Sequence, residues 1–191
     1  MTHVSIIGTG NMGQAIAGLV TSGGNTAELI GHTDGGKPVT GEIVVLAVPY
    51  PAVADVLATH GGQLAGKVVV DITNPLNFET FDSLTVPADS SAAAGIAAAL
   101  PESRVLKAFN TTLAATLVSG TTGDLPTTVL IAGDDPAAKA LLAGVVTAGG
   151  LHAIDAGSLR RARELEALAF LQITLAAQEK MPWTGGFAVA A

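Results

Sequence analysis

Short apolar, β-branched runs alternate along this chain with stretches of helical period. His3–Gly8 (HVSIIG) reads as a buried strand. Behind it, Gln14–Ser22 puts Ile16, Leu19 and Val20 on one helical face, and Gly23-Gly24 stops the helix. Further strands are expected at Thr26–Gly31, Glu42–Val48, Lys67–Ile72, Arg104–Lys107, Thr127–Gly133 and Leu151–Asp155. Helices are expected at Ala52–Thr59, from a Ser90 or Ser91 cap to Leu100, at Pro136–Ala148, and at Ser158–Glu179, the longest. Thr73–Asp89 reads as a long loop. Strands alternating with helices define an α/β fold, a doubly wound parallel sheet with helices on both faces. On this reading residues 1–155 form the sheet domain, and 156–191 add a C-terminal helix and tail packed on it. One link is out of pattern. His32–Gly41 holds three Gly and a Pro, so the crossover helix there is missing or vestigial. A parallel pair normally needs about a dozen or more crossover residues.

Composition narrows the class. Hydrophobic residues make up 49% of the 191 and charged residues 13%. A chain so poor in charge is expected to hide part of its surface in a subunit contact, here a homodimer. Apolar nearly all round, Ala167–Ala177 is either core or that interface. The formal charge is −7, with only Lys37 and Lys67 as bases against eight acids in residues 1–95. That excludes a nucleic-acid footprint. With no Cys, there are no disulfides, thiolate metal sites or Cys nucleophile. Ile43–Ala58 and Ala167–Ala177 are interrupted or too short to span a bilayer. No signal peptide is expected, since the first strand begins at His3. The expectation is a cytoplasmic protein with no membrane partner.

Gly8-Thr9-Gly10-Asn11-Met12-Gly13 follows a strand and opens a helix, the context in which GxGxxG points to a dinucleotide. Gly8 permits the tight turn, Gly10 lets backbone approach a pyrophosphate, and Gly13 lets helix and strand pack closely. The helix N-terminus then faces the phosphates. His32, Thr33 and Lys37, after strand two, are suited to a 2′-phosphate, which favours NADP. Asp34 suits the two ribose hydroxyls of NAD, so NAD stays open. Ala47, Val48, Pro49 and Tyr50 end strand three as a cofactor wall. Strands one and four are expected to flank the point where strand order reverses. On that expectation Thr73, Asn74 and Pro75 overhang the nicotinamide, with Asn110 and Thr111 opposite. Leu76, Phe78 and Phe81 offer an apolar platform, or else fill core. Of four His, only His32 is expected near the cleft, since His60 ends a surface helix. Lys107 is more often a structural lysine than an acid. There is no His–Asp pair, no Tyr-x-x-x-Lys and no metal-ligand cluster. The site is therefore expected to position two rings through Asn74, Pro75 and Asn110 rather than to supply a strong acid.

GTGNMG, the strand-three VP, DITNPLNF, SSAAA, KAFNTT, AGDD and DAGSLRRARELE, in this order, make the chain similar to F(420)H2:NADP oxidoreductases, the 8-hydroxy-5-deazaflavin enzymes. It also resembles the cytosolic NADPH domain of six-transmembrane metalloreductases. The resemblance runs from His3 to about Glu166. It implies a Rossmann domain, NADP(H) on the Gly8–Gly13 loop, and hydride exchange with a flavin or deazaflavin over Asn74-Pro75. Departing from the family's Ser-Arg or Arg-Arg, the end of strand two reads His32-Thr33-Asp34. The leading function is an oxidoreductase that passes hydride between NADP(H) and a flavin, deazaflavin or similar small-molecule acceptor. The alternative is a non-catalytic NADP(H)-binding redox sensor. A carbon-substrate dehydrogenase would need a large helical second domain, and only about 35 residues follow Asp155.

Overall fold

A computed structural model describes residues 1–190. Seven of its nine strands build one sheet in the order β2-β1-β3-β4-β5-β8-β9. These are β1 (His3–Ile7), β2 (Thr26–Ile30), β3 (Ile43–Leu46), β4 (Val68–Asp71), β5 (Arg104–Lys107), β8 (Thr128–Gly133) and β9 (His152–Gly157). The helices are α1 (Asn11–Ser22), α2 (Val53–His60), α3 (Ala92–Ala99), α4 (Ala114–Ser119), α5 (Pro136–Ala148) and α6 (Ala162–Ala177). Alternation along each strand decides which helices cover which face. Val4, Ile6, Ile43, Val45, Val68, Val70 and Leu106 pack with α1, α4 and α5. Ile7, Val44, Leu46, Val69 and Val105 pack with α2 and α3 on the other face. β3 and β4 are buried on both faces, which explains their unbroken β-branched runs. Among the described residues no helix is long and apolar enough to cross a membrane.

The sheet is mostly parallel and doubly wound, as expected. One junction departs from that. β8 runs antiparallel to β5, with Leu106 opposite Gly133. The expected pattern had no element between Thr111 and Thr127. The chain instead makes the six-residue α4, turns at Gly120 (φ 76°), and forms a hairpin of β6 (Thr121–Thr122) and β7 (Leu125–Pro126). No full crossover helix returns the chain, so β8 enters from the opposite end. Gly133 allows the close approach, since a Cβ there would strike the Leu106 side chain.

Strand order also differs from the expected one: β3, not β4, lies beside β1. The direction of winding therefore reverses between β1 and β3, not between strands one and four. A helix-free connection from Gly31 to Glu42 carries the chain across β1. Polar contacts hold it there. The Gly41 N–H donates to the Ser5 hydroxyl at 2.8 Å, and Lys67 Nζ donates to the Gly41 carbonyl at 2.7 Å. Val39 is buried, and its N–H donates to Gln63 Oε1 at 2.9 Å. Glu28 accepts from the Ser5 and Thr40 hydroxyls. Burial pushes the Glu28 carboxyl up, but the hydrogen bonds from Ser5 and Thr40, with the nearby His3, outweigh this and hold it below the usual 4.5.

The helix ends follow local chemistry. Ser91 Oγ accepts from the Ala94 N–H at 3.0 Å and caps α3, as its position predicts. Asp135 caps α5 through the Ala138 N–H at 2.8 Å. Its neighbour Asp134 accepts from the Leu159 N–H at 2.9 Å and so sets the entry to α6. The helix expected from Ser158 is a 3₁₀ turn, Leu159–Arg161, followed by α6. Asp155 does not cap it. Held low by the hydrogen bond from Lys139 and then by the Gly157 N–H, its carboxylate fastens β9 to α5.

Candidate functional site

A cleft of about 490 Å³ opens at the carboxyl ends of β1, β2 and β3. Gly8, Thr9 and Gly10 form one wall, Ile30, Gly31 and His32 a second, and Ala47, Val48 and Pro49 a third. The glycine loop is shaped as its spacing predicts. Gly8 has φ +123°, and a Cβ there would collide with the Ala47 carbonyl of the β3 end. A Cβ on Gly13 would collide with the Gly8 carbonyl, so this glycine lets α1 press onto the loop. Gly10, by contrast, faces open space, with nothing within 4 Å of an ideal Cβ. It is the N-cap of α1, whose first turn carries neither an acid nor a side-chain cap. Its free N–H groups are the arrangement that suits a phosphate. Asn11, Met12 and Gly13 form that first turn.

The fourth wall escaped the sequence reading. Asp55, Val56, Thr59 and His60 of α2 line the cleft. Placing His60 on a surface helix is wrong, because it is only 6% exposed, and its Nδ1 has no partner. The spacing 52, 55, 56, 59, 60 is one helical face, which could have revealed the wall had the β3–β1 adjacency been known.

Lys37 stands apart from these walls. Its ammonium donates to the Leu29 carbonyl at 3.2 Å and lies 4.0 Å from Glu28, so it belongs to the crossover and not to the cleft. Thr33 is exposed outside the cleft walls, and Tyr50 faces α3 in a separate hollow.

A second group gathers where β4 and β5 end. Asn74 Nδ2 donates to the Asn110 carbonyl at 3.0 Å, and Asn110 Nδ2 donates to Asn74 Oδ1 at 3.1 Å. The second Asn110 amide proton goes to the Leu165 carbonyl of α6 at 3.0 Å. Phe109, buried and at φ 60°, turns β5 sharply to aim Asn110 at Asn74. That left-handed conformation costs roughly 1–2 kcal/mol for a non-glycine residue. Pro75 is buried beside the pair. Two buried polar atoms here, Thr73 Oγ1 and Asn110 Oδ1, have no hydrogen-bond partner. The loop's apolar residues divide: Leu76 is buried in the core, whereas Phe78 is 54% exposed and meets Phe81 edge-on with centroids 5.7 Å apart.

Lys107 lies directly beneath. Fully buried, it is held by Asp71 at 2.8 Å, Glu166 at 2.9 Å and the Thr73 carbonyl at 2.6 Å. Glu166 also accepts from the Ala92 and Ala93 N–H groups at the start of α3. The lysine is structural. It ties β4, β5, α3 and α6 together, and it fixes the carbonyl that precedes Asn74.

The glycine loop, the sheet and the strand-end cleft define a Rossmann-type, dinucleotide-binding protein. Comparison with known proteins narrows this. A family model for NADP oxidoreductase, coenzyme F420-dependent, matches residues 37–75. The F420-dependent NADP reductase of Methanocaldococcus jannaschii is 31% identical over 166 residues, 85% of this chain and 74% of that protein. Metalloreductase STEAP3 of Rattus norvegicus is 38% identical over 112 residues, 59% of this chain but 22% of that protein. A crystal structure of a protein assigned as an F420-dependent NADP reductase, from Arthrobacter sp. FB24, superposes with a TM-score of 0.85 at 26% identity and covers 100% of both chains. The chain belongs to the F420-dependent NADP reductase family and is an NADP-dependent oxidoreductase.

Proposed function

We propose that this enzyme passes hydride between NADP(H) and a flavin, 8-hydroxy-5-deazaflavin or similar ring acceptor, with the two rings meeting above Asn74, Pro75 and Asn110. Gly8, Thr9, Gly10, Asn11, Met12 and Gly13 hold the pyrophosphate. His32 and the Ala47–Pro49 wall flank the adenosine half, and Thr73 with Asn74 faces the nicotinamide. The nicotinamide supplies the hydride, and the protein's part is placement. The observation that carries this reading is the reciprocal Asn74–Asn110 pair, which locks the ends of β4 and β5 together where the two rings would meet. Lys107 has no route to a substrate, because all its neighbours are protein acceptors and its exposure is 0%. A positioning mechanism is therefore favoured over a general acid.

Asn74→Ala is expected to lower the rate of acceptor reduction by about 10- to 100-fold, the range a displacement of about 1 Å can cause. NADPH affinity should change little, because the pyrophosphate loop is untouched. Stopped-flow oxidation of NADPH with flavin or deazaflavin, beside a nucleotide titration, checks it. A rate unchanged in Asn74→Ala, or no turnover with any ring acceptor despite NADPH binding, overturns the proposal.

The segment 156–191 is read as one addition that braces the site. Leu165 accepts from Asn110, Gln172 Nε2 donates to the Thr111 carbonyl at 3.3 Å, and the Phe187 N–H donates to Gln172 Oε1 at 3.0 Å. Its outer face is where two copies would associate. Leu171 is 51% exposed, with Leu168 and Leu175 half-buried beside it on the same helical face. Ile173 points inward instead, so only Leu171 is a clean probe. Light scattering should find a dimer for the wild type and a monomer for Leu171→Glu. A monomeric wild type would rule this interface out.

A further inference from the structure

The end of β2 carries a carboxylate where an NADP site needs a cation. Asp34 Oδ2 accepts the Gly31 N–H at 2.8 Å, and Gly31 lines the cleft. An ideal Cβ on Gly31 would lie 3.4 Å from that oxygen and 3.5 Å from Thr9 Cγ2 of the glycine loop. Asp34 is exposed and is not itself a cleft wall; its carboxylate sits on the rim directly beside Gly31, which is one. Its other oxygen, Oδ1, points to no protein donor among the described contacts. No Lys or Arg lines the cleft, while Asp55 does. The two bases of the N-terminal half are both committed elsewhere. Lys37 is bound to the Leu29 carbonyl, and Lys67 to the Gly41 carbonyl. The helix-free crossover supplies no replacement. Of the groups suited to a 2′-phosphate, only His32 remains on a cleft wall.

A ribose diol donates hydrogen bonds to a carboxylate, whereas a 2′-phosphate brings like charge against it. From this arrangement we infer that Asp34 is a specificity-determining residue that accepts a ribose hydroxyl of the adenosine. It makes the enzyme take NADH alongside NADPH, with only weak discrimination between them. This rests on the reading of the cleft as the nucleotide site.

Binding is measured directly, without an acceptor, by the fluorescence of NADPH and NADH on titration with the full chain. The wild type should bind the two within about tenfold of each other. Asp34→Asn keeps an oxygen for the Gly31 N–H but removes the charge. It should shift the affinity ratio toward NADPH by about tenfold or more, the weight of one hydrogen bond to a charged group plus the relieved repulsion. Asp34→Ser should shift it the same way, and circular dichroism reports whether each variant is folded. Wild-type binding of NADPH with NADH weaker by more than about 100-fold overturns the inference and leaves the cleft assignment standing. So does a ratio unmoved in both folded variants. Failure of both nucleotides to bind overturns the cleft assignment as well.

Discussion

Lys107→Ala will destabilise the protein by about 3–5 kcal/mol in urea unfolding, the cost of stranding buried partners of a removed charge. The triad of Lys107, Asp71 and Glu166 has side chains 0%, 0% and 1% exposed. One cation there faces two carboxylates. Without it, both carboxylates remain in a place that water cannot reach, and the Thr73 carbonyl loses its donor. Glu166 keeps its N–H donors at the start of α3, and Asp71 keeps the Thr73 N–H at 2.8 Å. Those contacts soften the loss without removing it. Lys107→Met tests the same point with the side-chain volume preserved, and it should also lose several kcal/mol. Glu166→Gln keeps the shape but turns one accepting oxygen into an NH2 that must face a buried donor, the Ala92 N–H or the Lys107 ammonium, so it too should destabilise, though by less than the lysine variants because it removes one of two like charges. A loss below about 1 kcal/mol in both Lys107 variants would show that the triad is not what holds α6 to the sheet.

This triad explains why a lysine stands in the KAFNTT motif at the end of β5. From sequence, Lys107 carries two readings, acid and structural residue, and only the arrival of Glu166 from α6, 59 positions later, separates them. The strands, the glycine loop and the helix caps were legible because each is a local pattern. A β-branched run, GTGNMG, or a Ser ahead of an alanine-rich helix carries its own physical signal. Asn74 and Asn110 were legible as well, since both lie at strand ends and such ends gather at one edge of a parallel sheet. What stayed hidden depends on partners distant in sequence. The direction of β8 rests on how α4 and the β6–β7 hairpin turn the chain. The place of β3 beside β1 rests on how tightly residues 31–42 cross the sheet. Lys37 stands near Asp34 in the chain, yet its ammonium turns to Glu28 and Leu29. His60 is buried in the cleft because β3 is nearer to β1 than the expected order allowed.

The three motif glycines should separate into two kinds of failure. Gly10→Val is expected to abolish NADPH binding while the fold survives. Gly10 has φ −72° and ψ −176°, a conformation open to any L-residue, and its ideal Cβ meets nothing within 4 Å. The fold therefore loses little more than the difference between Gly and Val at an N-cap, about 1 kcal/mol. The open space is nevertheless where a pyrophosphate must approach the backbone at the head of α1, and an isopropyl group fills it. Gly8 and Gly13 differ in kind. Gly8→Ala sets a Cβ against the Ala47 carbonyl at φ +123°, and Gly13→Ala sets one against the Gly8 carbonyl. Both must move backbone, so both should lower the melting temperature before any ligand is considered. Thermal unfolding and a nucleotide titration on the three variants make the comparison. Binding lost and stability kept in Gly10→Val, with stability lost in the other two, identifies the loop as the phosphate cradle. A folded Gly10→Val that binds NADPH as tightly as the wild type would remove the glycine loop from the nucleotide site.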